Sequence, residues 1–463
     1  MSLEHELRTA FGDAVVAGTP AHYLTDFTQT PGRAEAVVAP STAGGVADVL
    51  AWCYERDVPV VPRGGGTGLA GGGVPDGGVV LSLERLTRIR SFDPLLWRIE
   101  VEAGVTTWTL QRTVRESGLI FAPDPGALEQ SQIGGNIATN AGGPHAFKYG
   151  VTGDWVTGLE AALPPGELVS VGGPIRKDVA GYDLKRLLIG SEGTLGIVTA
   201  AWLKLVPAPE LVLPVAVFYA SAREGCEAFT RVLGSGVVPA ALELLDGETL
   251  RVGAATFPGG VPAGADFLLL AETDGSRAEA ERAQAELVEA AGEGAVAVLA
   301  PRDRQDVDAL WRWRHGLGHV VRAQRGNALA EDVVVPLDRI ADVVEGTAEI
   351  GRRHRLAALC FGHAGDGNLH STFLFAPESA EEQHRAELAA EDLFELAARL
   401  GGSVSGEHGL GLLKRGQLAR QWAPRALDLH EQIKRVFDPK NLLNPGKKLA
   451  RPPVAVAEVV AAG

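Results

Sequence analysis

The chain has 463 residues, enough for two or three domains with substantial cores. Hydrophobic residues make up 46% and charged residues 22%, the composition of an ordinary globular protein. The formal charge of −15 argues against nucleic acid as the main partner, because phosphate binding needs concentrated Lys and Arg.

In chain order, residues 1–35 read as a short helix and a polar lead-in. A strand–helix–strand pattern follows: Ala36–Ala39 as a strand, a helix capped by Thr42 running through Ala51–Arg56, and the apolar strand Val58–Val61. A Gly-rich loop covers Gly64–Gly73. Strands are expected at Gly78–Leu83 and Arg98–Val101, and a helix at Trp108–Ser117. Residues 123–153 are dense in Gly, Asn and Pro, and loops of that length in compact domains are usually functional. A hairpin with a Pro-Pro-Gly turn lies at Leu163–Val169, and Gly181–Leu205 closes this half. Pro207 and Pro209 mark a boundary, beyond which apolar strands alternate with Ala/Glu-rich helices such as Ser276–Ala291 and Ala380–Leu400. That pattern fits a helix-covered antiparallel sheet. The end, Arg451–Gly463, reads as a frayed tail.

The three cysteines, Cys53, Cys226 and Cys360, are far apart and allow neither a disulfide framework nor a C-x-x-C metal motif. The chain therefore supplies no iron–sulfur ligands of its own, and a reducing compartment fits. No apolar run approaches the roughly 20 residues of a membrane span, and the first residues, MSLEHELRTAFGD, lack a signal-peptide apolar region. A cytoplasmic location is expected, with peripheral contact at the inner face of the membrane left open.

The run Pro62-Arg63-Gly64-Gly65-Gly66-Thr67-Gly68 follows a buried strand, and consecutive N–H groups without side chains form a concavity suited to a pyrophosphate. A P-loop would need Gly-Lys-Ser/Thr at its end, and none is present. A Rossmann fingerprint matches on paper at Gly66–Gly71, but it must open a helix, and the following GGVPDGG cannot. A flexible surface loop is the plain alternative, and the second Gly/Asn-rich segment weighs against it.

Farther on, ALCFGHAGDGNLHSTFLF over Ala358–Phe375 reads as strand, turn, strand, with Gly365-Asp366-Gly367 at the bend. His363 and His370 flank that bend and can face each other across the strands, which suits a divalent metal. Glu407, in SGEHG, is the candidate third ligand. Two His and one carboxylate leave an open position for substrate or water. Hydrogen-bonded turn histidines are the plain alternative. Cys360 and the Trp311/Trp313 pair read as core packing.

Taken together, PRGGGTGLAGG, PDPGALEQSQIGGNIATNAGG, GYDLKRLLIGSEGTLGIVT, GHAGDGNLH, SGEHGLG and FDPKNLLNPGK resemble the FAD-linked D-2-hydroxy-acid dehydrogenase group. That group includes the glycolate oxidase FAD subunit, D-lactate dehydrogenase and D-2-hydroxyglutarate dehydrogenase, within the vanillyl-alcohol oxidase flavoprotein family. The resemblance runs from about residue 33 to about 448. It implies an α+β fold: a two-part FAD-binding domain of vanillyl-alcohol oxidase type, and a substrate domain with a helix-covered antiparallel sheet. The expected bounds are 1–206 for the FAD-binding domain and 207–410 for the substrate or cap domain. A C-terminal helical segment over 411–450 would return to the FAD domain, followed by the tail 451–463.

The resemblance also assigns roles. Arg63, Gly64, Gly65, Gly66, Thr67 and Gly68 would hold the FAD pyrophosphate. Residues Ile133–Gly143, among them Gly134, Gly135, Asn140 and Gly142, would wrap the flavin and ribityl chain, with Pro123 opening that segment. Glu192, Gly193, Gly196 and Ile197 would contact the cofactor from the far side, and Asn444 would lie near the isoalloxazine. Some relatives bind FAD through a His in or near the first loop; none is present there, so dissociable FAD is expected, with His145 a remote candidate for a covalent link.

His363, His370 and Glu407 would be metal ligands, for Zn²⁺ first and Mn²⁺ or Fe²⁺ as alternatives, since ligand type does not separate these ions. The metal would act as a Lewis acid on the substrate hydroxyl. His408 would be the general base, and Arg314, in LWRWRHG, would hold the substrate carboxylate two-point fashion. The dicarboxylate-using branch tends to carry an Asn where Thr372 stands, and polar or basic groups where Gly318 and Ala330 fall. This favours D-lactate or glycolate over D-2-hydroxyglutarate. Electrons would pass to a non-NAD acceptor: a quinone, a cytochrome, an electron-transfer flavoprotein or a separate iron–sulfur subunit. A flavin-binding subunit active only with such partners is the alternative. An ether-lipid synthase or an aldonolactone oxidase of the same architecture is a rival, and the GHAGDGNLH and SGEHG pair argues against the lactone oxidase.

Overall fold

The computed structural model describes residues 2–448, so the expected tail lies outside the described residues. The chain forms two compact units. The first comprises residues up to Ala141, then Val151–Pro207 and the chain from His408 onward. The second comprises Gly142–Gly150 and Ala208–Glu407.

Strands of the first unit are β1 (Ala36–Val38), β2 (Val60–Arg63), β3 (Val79–Ser82), β4 (Ile89–Asp93), β5 (Arg98–Glu102), β6 (Leu119–Ile120), β7 (Val156–Leu163), β8 (Glu167–Gly172), β9 (Ile197–Lys204) and β10 (Val206–Pro207). They make a parallel sheet in the order β1-β3-β2 and an antiparallel sheet in the order β4-β5-β9-β7-β8, with β6 and β10 as a separate short pair. The parallel sheet is near-continuously apolar, as a sheet covered on both faces must be. The helix Ala43–Glu55, capped by the Thr42 hydroxyl, buries Val46, Val49, Leu50 and Cys53 in the core formed with those strands. The helix Pro424–Phe437 belongs to this unit as well. Its buried Lys434 ammonium donates to Thr194 O, Leu443 O and the Asp438 carboxylate, so all three of its donors are met.

The second unit holds β11 (Leu211–Tyr219), β12 (Ala241–Asp246), β13 (Phe267–Gly275), β14 (Ala297–Leu299), β15 (Asn327–Val334), β16 (Ala357–His363) and β17 (Asn368–Phe375). They form one antiparallel sheet, ordered β14-β11-β13-β12-β16-β17-β15. Helices Ala222–Ser235, Arg277–Gly292, Ile340–His354 and Ala380–Arg399 pack on the sheet and on one another. Helices Gly247–Gly253 and Arg304–Ala323 form a second layer, burying Leu250, Leu310, Trp313 and Leu317 against Leu245, Leu268, Leu270 and Leu359. Trp313 and Cys360 are core residues.

The α+β architecture with its helix-covered antiparallel sheet is the one expected from the sequence. The difference in detail is in residues 123–153, which contain two short helices, Ile133–Thr139 and Ala146–Tyr149, and the start of a third, Thr152–Trp155. Among the described residues no helix is long and apolar enough to cross a membrane.

Candidate active site

In the first unit, β2 ends at Arg63 and the chain turns through Gly64–Gly68 without entering a helix, as the rejection of the Rossmann reading requires. Two Gly-rich segments meet there, backbone against backbone. A Cβ on Gly65 would stand 2.0 Å from Gln130 O, and one on Gly64 3.3 Å from Gly135 Cα. At Gly66, φ is +70° and a Cβ would meet the Arg63 guanidinium. Gly134 lies so close to Ala103 that a Cβ would come within 2.6 Å of its methyl group. Asn140 ends the helix Ile133–Thr139 in the left-handed region, and its side chain accepts from Gly153 N at 2.8 Å.

Of the remaining candidates of this unit, Glu192 and Asn444 share one polar network. The buried Glu192 carboxylate accepts from Leu410 N at 2.9 Å, Gly411 N at 2.6 Å and Lys448 Nζ at 3.2 Å. Asn444 donates to Glu192 O at 2.7 Å and to Gly72 O at 2.9 Å, and its own N–H donates to Val60 O at 2.7 Å. Gly193, at φ +69°, and Gly196 stand where a Cβ would strike Pro62 and Leu163. Ile197 opens β9, and Pro123 is buried with its carbonyl accepting from Gln111. Gly142 and Gly143 fall in the second unit.

These residues fit FAD. The glycine cradle keeps N–H groups open to an anion, and the buried Arg63 Nη1 has no partner. Gly65→Ala is expected to yield protein with little bound flavin, read as flavin absorbance per mole of purified chain. A full complement of FAD would contradict the cradle.

In the second unit the candidate metal ligands come together on one face of the sheet. The hairpin register pairs His363 with Asn368 and His370 with Phe361, so the two imidazoles are diagonal neighbours rather than directly opposed. Their ring centroids are 5.3 Å apart, with planes at 89°. Glu407 Oε1 lies 3.3 Å from Nε2 of both histidines. One ligand atom from each of the three falls within 4.8 Å of the others. The buried Asp332 of β15, paired with His370 in the sheet, accepts from Gly406 N at 2.6 Å and Glu407 N at 2.7 Å, which fixes the loop that carries Glu407.

Arg314, on the helix Arg304–Ala323, is buried and forms an ion pair with Glu243 of β12. Glu243 is fully buried, and its other oxygen accepts from His363 Nδ1. Burial alone would push the Glu243 carboxyl up, but the Arg314 guanidinium and His363 outweigh it and hold the group ionised. Burial likewise disfavours charge on His363 and Glu407. The carboxylates of Glu243 and Glu407 nevertheless raise the imidazole well above its ordinary value, and His363 and His370 hold Glu407 well below its own. The donor set of two imidazoles and a carboxylate suits a divalent cation. His408, next in the chain after Glu407, begins the last stretch of the first unit. Thr372 is buried on β17 and pairs with Ala330 of β15, while Gly318 lies on the helix of Arg314.

Sequence reasoning missed Glu243 and Asp332. A signal existed in each: an acidic residue within an apolar strand, in ALELLD and in NALAEDVV, on a face the period-2 pattern turns inward.

Residues 34–172 match the family described as FAD binding domain, and residues 208–448 match FAD linked oxidases, C-terminal domain. Glycolate oxidase subunit GlcD of Bacillus subtilis is 38% identical, over 90% of this chain and 89% of that one. D-lactate dehydrogenase of Anaerostipes hadrus is 35% identical over the same shares. The mitochondrial D-2-hydroxyglutarate dehydrogenase of Rattus norvegicus is 34% identical, over 90% of this chain and 78% of its own. Among solved structures, p-cresol methylhydroxylase with substrate bound superposes with a TM-score of 0.80 at 18% identity, covering 97% of this chain and 96% of that one. The chain therefore belongs to the FAD-linked oxidases, and within them to the FAD-dependent oxidoreductases that act on 2-hydroxy acids.

Proposed function

We propose that this chain oxidises a small 2-hydroxy monocarboxylate, D-lactate or glycolate, to the 2-oxo acid with the help of a divalent cation, using dissociable FAD. The observation that carries the reading is the His363–His370–Glu407 cluster on the same sheet face as the Glu243-anchored Arg314. FAD, when bound, supplies the two-electron acceptor, and a cation at the cluster supplies a Lewis acid.

The chain's own residues do the rest. The Arg314 guanidinium, with Nη2 committed to Glu243 and Nε buried without a partner, keeps donors for a substrate carboxylate. His408 takes the hydroxyl proton as the Cα–H bond breaks. Gly318, Ala330 and Thr372 offer no positive charge of their own to a second carboxylate, which favours the monocarboxylate. Dissociable FAD is supported by the absence of His from the loop Arg63–Gly73, and by His145, whose Nε2 is 2.8 Å from Glu272 within the second unit. The acceptor is a quinone, a cytochrome, an electron-transfer flavoprotein or an iron–sulfur subunit. The chain itself has three free cysteines, none with a Cys partner.

The deciding experiment is anaerobic bleaching of the flavin by D-lactate, glycolate, D-2-hydroxyglutarate and L-lactate, with and without a chelator. Fast, chelator-sensitive bleaching by D-lactate or glycolate is expected. Equal bleaching in the chelator would remove the cation from the reading, and preference for D-2-hydroxyglutarate would overturn the monocarboxylate.

A further inference from the structure

Glu243 has no place in the chemistry above, yet it is the residue on which two parts of the site converge. It is fully buried on β12, directly opposite His363 in the sheet. One carboxylate oxygen accepts from His363 Nδ1 and the other pairs with Arg314 Nη2. With Nδ1–H donating to a carboxylate, Nε2 is the nitrogen turned toward Glu407, 3.3 Å away, and the one that gives up its proton when it ligates a cation. The same carboxylate fixes one edge of a guanidinium that also lies over the Phe361 ring, 5.4 Å from its centroid. A fully buried carboxylate is costly unless both oxygens are used, and here both are.

We infer that Glu243 is a positioning residue that joins the carboxylate anchor to the cation site: it holds His363 in its ligating tautomer and Arg314 in its anion-binding pose at once. The spacing between the two recognition points is then set by a single side chain, and a change at one point is felt at the other. This inference rests on the proposed cation site and on Arg314 as the carboxylate anchor.

The test uses full-length, FAD-loaded protein, stripped with a chelator and titrated calorimetrically with Zn²⁺ or Mn²⁺ alone. Glu243→Gln keeps the shape, but its one carbonyl oxygen replaces only one of the two carboxylate oxygens that these donors use, and its amide N–H₂ must confront the other donor. Its cation Kd is expected to rise about 10- to 100-fold. The KM for the 2-hydroxy acid should rise with it, by a larger factor than kcat falls, while bound FAD and the far-UV spectrum stay unchanged. A second variant leaves Glu243 in place. In Arg314→Met, Glu243 loses the partner that shares its carboxylate with His363, and the cation Kd is expected to shift by about 3-fold or more even though Arg314 is no ligand.

Unchanged cation affinity in Glu243→Gln overturns the inference. If that variant does not fold, an unchanged affinity in Arg314→Met overturns it instead. Wild-type protein that binds neither ion removes the cation site itself, an outcome distinct from a wild type that binds and a Glu243 variant that binds equally well.

Discussion

Glu407→Gln is expected to lose the cation and, with it, almost all flavin reduction by the 2-hydroxy acid. Glu407 is the sole carboxylate of the cluster, 3.3 Å from both imidazoles, and neutralising it leaves two histidines to hold the ion. A Lewis acid at a developing alkoxide is worth several kcal/mol, so the rate should drop by about 10³-fold or more. The sign of a second effect follows from the charges. His363 is raised because two carboxylates face it, so removing one should lower its proton affinity in the cation-free protein. Metal content by elemental analysis and stopped-flow flavin reduction test the two halves separately. A variant that keeps the cation at wild-type stoichiometry and reduces its flavin normally would show that Glu407 is no ligand.

His408→Ala should slow anaerobic flavin reduction by about 10²- to 10⁴-fold, the usual contribution of a positioned general base. FAD and cation contents should be unchanged, because His408 belongs to neither the glycine cradle nor the ligand cluster. The loss should be partly reversed by raising the pH, since the cation kept in this variant lowers the pKa of the substrate hydroxyl and a larger fraction is then ionised without a base. In Glu407→Gln the loss should not be reversed in that way. Normal flavin reduction by the alanine variant would move the base elsewhere.

Much of this site could be read from the chain because its parts are local. His363 and His370 are seven residues apart on one hairpin, and a Gly-Asp-Gly bend between alternating apolar residues makes that hairpin visible. Glu243 is 120 residues from His363 and 71 from Arg314, and only the non-local pairing of β12 with β16 brings it to them. The helix Ile133–Thr139 was hidden for a different reason. Its sequence, IGGNIAT, has poor helix propensity, and Gly134 is there for its close packing against Ala103. Tertiary contact forms that helix, so periodicity could not announce it.

The first unit is assembled from three separate lengths of chain, and its seam has a consequence for synthesis. Val60, on the strand that leads into the glycine loop, pairs with Leu443, and Lys440 reaches back to Tyr54 and Asp57 across 386 and 383 residues. Between the two sides of that seam the ribosome makes the entire stretch Ala208–Glu407. The glycine loop emerges early but cannot be buttressed by Asn444 until the last pieces are delivered, a closure of very high contact order. For most of translation the glycine loop is therefore an unfinished edge, and the whole inserted stretch is made before the loop's last contacts can close.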